Sequence, residues 1–166
     1  MDIFLPKLFL DSVYDITVKL LADNNIKGLI LDVDNTLVAQ YIERPDQKLI
    51  DWINSLKKNA IKLCIVSNGS GKRVRKFNES LGLDVVAKAK KPCKKGFKKA
   101  LDMMNLRQDE VAVVGDQLFT DIWGGNRLGM FTILVRIIDK REEFFVRLKR
   151  YPEKLVFMLS GKSHTL

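Results

Sequence analysis

Three consecutive apolar residues, Leu29, Ile30 and Leu31, run directly into Asp32, and Asp34 follows two places on. No other stretch constrains the chain as much. An unbroken apolar triplet is the pattern of a strand covered on both faces. On extended backbone, residues two apart share a face, so Asp32 and Asp34 point the same way. Two carboxylates held close together repel each other, and removing them from water is costly. A divalent cation, or a proton held by one of them, resolves that conflict. An Asp-x-Asp turn also has a plain structural reading, so the rest of the chain has to decide.

The rest of the chain repeats the arrangement. Strands are expected at 27–33, 61–66, 84–87, 111–114 and 131–135, and helices at 11–23, 46–58, 71–81, 94–104 and 120–128. Asp11 or Ser12 is the expected cap of the first helix, and Gly82 the stop of the third. Strands alternating with helices predict one α/β domain, with a mainly parallel sheet of about five strands and helices on both faces. In such sheets ligands sit at the carboxyl ends of the strands. Asp32, Ser67 and Asp116 all fall at such ends.

In order along the chain stand Asp32-x-Asp34-x-Thr36, then Ser67-Asn68-Gly69 at a strand end. Lys91 follows, before Pro92, and then Gly115-Asp116 with Asp121. This set resembles the four motifs of the haloacid dehalogenase (HAD) superfamily of phosphatases, over about residues 27–135. The resemblance implies a HAD-like Rossmannoid three-layer α/β/α fold with a core at about 25–136. It also implies Mg²⁺-dependent hydrolysis of a phosphomonoester through an aspartyl-phosphate. Asp32 would be the nucleophile and Asp34 the acid and then the base, positioned by Thr36. Ser67 and the Asn68 amide would hold phosphate oxygens, and Lys91 would offset charge. The metal would be held by Asp32, a backbone carbonyl of Asp34 and Asp116. Asp121 would be either a further ligand or a residue behind the ligands. Lys88, Lys90, Lys94 and Lys95 compete for the lysine role, and Pro92 favours Lys91.

Two other patterns fail. Gly69-Ser70-Gly71-Lys72-Arg73 suggests a phosphate loop, but Val66 stands where its first glycine belongs and Arg73 replaces the Ser/Thr. Cys64 and Cys93 have no CxxC partner, which argues against zinc, and they give no disulfide framework. Together with the absence of a secretory pattern or a long apolar run, they lead us to expect a cytoplasmic protein.

The formal net charge is +9, and the segment from Lys72 to Lys99 carries all of it: eleven Lys/Arg against Glu79 and Asp84. Lys91 lies inside that segment, so a positive field is expected beside the site, attracting anionic substrates or surfaces. Residues 37–61 and 69–91 are too short for a cap domain. An open site meets a phosphate carried on a larger body, unless a neighbouring copy in a homo-oligomer serves as lid.

The variant Leu-Asp-Val-Asp-Asn-Thr-Leu, the Gly-Asp-Gln-x-x-Thr-Asp-Ile motif and the apolar lead-in narrow the resemblance further. They are similar to subfamily IIIA, in its capless YqeG-type branch, and to the mitochondrial and plastid enzymes that dephosphorylate phosphatidylglycerophosphate. That implies a phospholipid headgroup as substrate and peripheral contact with an anionic membrane at its inner face. Helical extensions are expected at 1–23 and 140–160. Residues 1–9 read equally as an interfacial anchor or as a cover for the core. The alternatives are a soluble phosphatase for a sugar phosphate, nucleotide or phosphoprotein, and a basic nucleic-acid-binding module on the same fold. Nucleic acid is the weaker partner, because the basic segment offers at most Phe77 or Phe97 for stacking.

Overall fold

The computed structural model describes residues 2–139. The helical extension expected at 140–160 lies outside them. Six parallel strands form one sheet: β1 (Leu8–Leu10), β2 (Gly28–Leu31), β3 (Lys62–Val66), β4 (Asp84–Val86), β5 (Val111–Gly115) and β6 (Phe131–Val135). Their spatial order is β1-β6-β5-β2-β3-β4. The chain leaves β2 towards β3 and β4, then returns to lay β5 on the other side of β2. This reversal puts β2 and β5 side by side with their carboxyl ends together, Leu31 opposite Val114. Asp32 extends the ladder by one bond, its N–H donating to the Val114 carbonyl at 3.0 Å.

The two-residue period of a strand sends alternate side chains to opposite faces. Leu29 and Leu31 enter one core with α2 (Gln47–Lys58), through Leu49, Ile53 and Leu56, and α3 (Gly71–Asn78), through Val74 and Phe77. Leu21 of α1 (Val18–Asp23) joins them. Ile30 points the other way, to α4 (Lys94–Met104) and its Phe97, Ala100 and Met104. The short α5 (Trp123–Asn126) packs closely on α4, since a Cβ on Gly124 would stand 2.5 Å from the Phe97 ring. Asp46 caps α2 by accepting from the Leu49 N–H at 2.8 Å. Among the described residues no cap domain is inserted, and no helix is long and apolar enough to cross a membrane.

Four sequence expectations change. Residues 8–10 are strand rather than helix. β1 pairs with β6, Leu8 with Ile133 and Leu10 with Val135, which raises the strand count to six. Ahead of it, Phe4 packs on Phe119 and Trp123, each at 5.4 Å between ring centroids, while the Ile3 and Leu5 carbonyls accept from Asn126 Nδ2. The first helix is shorter than expected. Ser12 and Asp15 close a 3₁₀ turn of their own, and Thr17, not Asp11 or Ser12, caps α1. α3 stops at Asn78, whose side chain takes both the N–H and the carbonyl of Leu83, and Gly82 follows in the left-handed region at φ 59°. The expected helix at 120–128 begins instead as a π-turn over Leu118–Ile122, a wider winding that is common at functional sites.

Candidate active site

The loop after β2 folds back on itself. The N–H groups of Thr36, Leu37 and Val38 all converge on the Val33 carbonyl. Asn35 takes the left-handed conformation at φ 62°, which Asn tolerates better than most residues. Val33 is buried, while Asp32 and Asp34 both line a pocket of about 220 Å³ at the strand ends. Asn35, Gln40, Ser67, Asn68, Gly69, Lys91, Gln117 and Thr120 complete its walls.

Lys91 stands at the centre. Its ammonium lies 2.6 Å from Asp32 Oδ1 and 2.6 Å from Asp121 Oδ1, all three side chains being almost wholly buried. Burial alone would lower the lysine's pKa, but Asp121 and Asp32 outweigh it and raise it above the ordinary range. Lys91 is therefore a fixed cation. Burial pushes Asp121 up to about 6 against the pull of Lys91. The Gln117 N–H and the Thr120 hydroxyl also reach Asp121 Oδ2, each at 3.3 Å, the first from the cap of the π-turn and the second from within it.

Asp32, Asp116 and Asp121 bring carboxylate oxygens within 4.8 Å of one another, all buried. Three carboxylates against one ammonium leave an excess of negative charge in a nearly dry site. An all-oxygen set of this kind suits a hard divalent cation. Asp116 is joined to Asp32 through Thr36, whose hydroxyl is 3.1 Å from both Asp32 Oδ2 and Asp116 Oδ1. The turn at Gly115 leaves room for this cluster, since a Cβ there would stand 2.3 Å from Asp121 Cγ. Gly115→Ala should therefore push Asp121 off Lys91 and cost about 1–3 kcal/mol of stability, to be read from urea unfolding.

The expected site residues thus meet in one place, with contacts that the sequence did not give. The Thr36 hydroxyl bridges Asp32 and Asp116 rather than turning to Asp34. The Asn68 side-chain amide is taken up by the Lys91 backbone. It accepts from the Lys91 N–H at 2.7 Å and donates to the Lys91 carbonyl at 3.2 Å, which holds that lysine's backbone. Ser67 Oγ accepts from the Gly69 N–H at 3.0 Å. The Asp34 side chain pairs instead with Arg73, at 2.5 Å. Burial raises the Asp34 pKa, Arg73 counters it, and Asp32 adds to the rise. Sequence reasoning missed Arg73 and the wall residues Gln40, Gln117 and Thr120. The available signal for Arg73 was its place on the first turn of a helix that starts just after Ser67.

The matched family and a relative aligned along almost the whole chain define the class: this is a phosphatase. The deoxy-D-mannose-octulosonate 8-phosphate phosphatase of Haemophilus influenzae, in a cobalt-bound structure, shares the fold with a TM-score of 0.50 at 19% identity, over 56% of this chain and 60% of that one. Within the class, the chain belongs to the family described as mitochondrial PGP phosphatase, matched over residues 1–138. The probable phosphatase YqeG of Bacillus subtilis is 40% identical over 97% of this chain and 94% of its own length. The chloroplastic/mitochondrial phosphatidylglycerophosphate phosphatase 1 of Arabidopsis thaliana is 28% identical over 86% of this chain, which spans 43% of the plant protein.

Proposed function

We propose that this phosphatase works through a covalent phosphate on Asp32 and acts on a phosphomonoester presented by a membrane lipid, phosphatidylglycerophosphate being the best fit. The observation that carries the mechanism is the contrast between two neighbouring carboxylates. Asp32 is held by Lys91 and Thr36 on the pocket floor, while Asp34 forms a wall and has a raised pKa. A carboxylate anchored by a cation suits a nucleophile, and one whose burial favours its protonated form suits an acid.

A carboxylate oxygen of Asp32 attacks phosphorus, and the bond from phosphorus to the ester oxygen breaks. Asp34 gives its proton to that leaving oxygen. Water then attacks phosphorus, Asp34 takes up its proton, and inorganic phosphate departs as the Asp32 carboxylate is restored. Ser67 orients the phosphate, and Lys91 stabilises charge on Asp32 and the transferred group. Mg²⁺, for which Asp32, Asp116 and Asp121 form a fitting oxygen set with the Asp34 carbonyl, would when bound neutralise phosphate charge.

Three features support a lipid as substrate. No cap closes over the pocket among the described residues. Of the cations between Lys72 and Lys99, all but Arg73, Lys76 and Lys91 are exposed. They include Lys88 and Lys90, next to Lys91, and they would meet an anionic surface on a protein acting at the membrane's cytoplasmic face. The 36–39 strip also lines a second groove of about 380 Å³, whose walls include Tyr41, Ile42 and Ile138, with Arg44 and Arg136 set against Asp11 and Asp46. A headgroup phosphate in the pocket and an apolar body along the groove match a single amphipathic molecule.

Phosphate release with Mg²⁺ from phosphatidylglycerophosphate in mixed micelles, from sugar phosphates, from nucleotides and from a phosphopeptide tests the assignment. The lipid should be preferred by about 10²-fold in kcat/KM, the scale of a few added contacts. Equal or better turnover of a soluble ester would replace the lipid reading with that of a soluble phosphatase.

A further inference from the structure

Arg73 stands three residues after Ser70, the N-cap of α3. Its neighbours Lys72 and Arg75 are exposed, but its guanidinium crosses to the loop after β2. Three groups meet it there. Nη1 lies 2.5 Å from Asp34 Oδ1 as an ion pair without hydrogen-bond geometry, and both atoms are sealed from solvent. Nη2 donates to the Gln40 carbonyl and, at 3.2 Å, to the Ile42 carbonyl. The other carboxyl oxygen, Asp34 Oδ2, lies beside Gly69, 3.5 Å from where a Cβ on that glycine would stand. Asp34, Gly69 and Gln40 all line the pocket. One oxygen of the acid is therefore tied back, and the other is left at the pocket wall.

The terminal torsion of an aspartate is broad and two-fold, so a carboxyl does not fix its own direction. A guanidinium carries its donors in a rigid planar fork. Paired by charge with a carboxyl and hydrogen-bonded to two carbonyls of the next turn, it holds them as one unit. Thr36 cannot do this, because its hydroxyl is turned to Asp32 and Asp116.

We propose that Arg73 is the positioning residue of the acid: it holds the Asp34 carboxyl and the 40–42 turn in one arrangement on the leaving-group side of the pocket. The proposal rests on the assignment of Asp34 as acid. A proton donor matters most when the departing oxygen is strongly basic, as in an alkyl phosphate. It matters little for a nitrophenyl phosphate, whose leaving group departs as a stable anion. A displaced Asp34 therefore penalises alkyl esters selectively, whereas a general loss of structure would lower every substrate alike.

The test is kcat/KM for aryl and alkyl phosphate monoesters graded by leaving-group basicity, with Mg²⁺, for the wild-type chain, R73Q, R73K, D34N and the double variant D34N/R73Q, each with its melting temperature. kcat/KM reports the first phosphoryl transfer, before Asp34 acts on water. R73Q should lose about 10²-fold on alkyl esters and less than about 3-fold on nitrophenyl phosphate, the scale of a misplaced general acid. Its dependence on leaving-group basicity should steepen towards that of D34N. R73K keeps the charge but not the fork and should fall between, and it carries the same comparison if R73Q melts below the assay temperature. In D34N, adding R73Q should cost nothing further on alkyl esters. A uniform loss across substrates, no loss at all, or an added loss in the double variant would overturn the proposal. A D34N variant with unchanged leaving-group dependence would instead overturn the acid assignment on which it rests.

Discussion

Asp32→Asn should abolish phosphate release, lowering kcat by about 10⁴-fold or more, because the amide cannot form the covalent phosphate. The fold should survive. Asn keeps the shape of the side chain, and Lys91 retains Asp121 at 2.6 Å. Removing one of three clustered carboxylates also relieves repulsion, so the melting temperature should hold or rise. Rapid acid quench of the wild-type chain during turnover should show one phosphoryl group added to the protein by mass, and the variant should show none. A variant that still turns over at a rate comparable to the wild type would remove Asp32 from the reaction.

Lys91→Met should have the largest effect on stability. The ammonium is the shared partner of two buried carboxylates. Taking away one side of a buried ion pair leaves uncompensated charge, which costs about 3–5 kcal/mol in denaturant unfolding. Activity should fall with it by about 10²–10³-fold, as expected for the loss of an electrostatic group at the reacting centre. Mg²⁺ distinguishes the two roles. A cation that binds only the folded cluster stabilises by mass action, and the variant, with more charge to neutralise, should gain more from added Mg²⁺ than the wild type does. If Mg²⁺ stabilises neither protein, Asp32, Asp116 and Asp121 do not form a metal site.

Much of this was legible in the chain itself. The apolar triplet at 29–31 and the run at 111–114 read as buried strands because both their faces are covered, and the acids follow where each strand ends. α4 matched its pattern over its full length. The remainder depended on contacts that no local pattern carries. β1 has only three residues, each half-buried, and it is a strand because β6 offers it an edge. The π-turn at 118–122 is fixed by bonds to the Asp121 carboxyl rather than by helical periodicity. Arg73 lies among lysines and arginines that face solvent, and composition alone cannot pick out the one that turns inward. The Thr36 hydroxyl turns to Asp32 and Asp116 rather than to Asp34, because spacing gives a residue's neighbourhood and not the direction of its hydroxyl.

The pairing of β1 with β6 also bears on how the chain is made. Just before β1, the Lys7 N–H bonds to the Thr132 carbonyl and hydroxyl across 125 residues. At ordinary rates of synthesis, β1 emerges from the ribosome on the order of ten seconds before β6, its neighbour in the sheet, exists. Throughout that interval Phe4, Leu8 and Phe9 are apolar and uncovered. The nascent chain is then most exposed to chaperones, and to unwanted association, at an end that carries no chemistry. Translation that stalls before residue 131 would release a product whose central strands are complete but whose sheet edge is open.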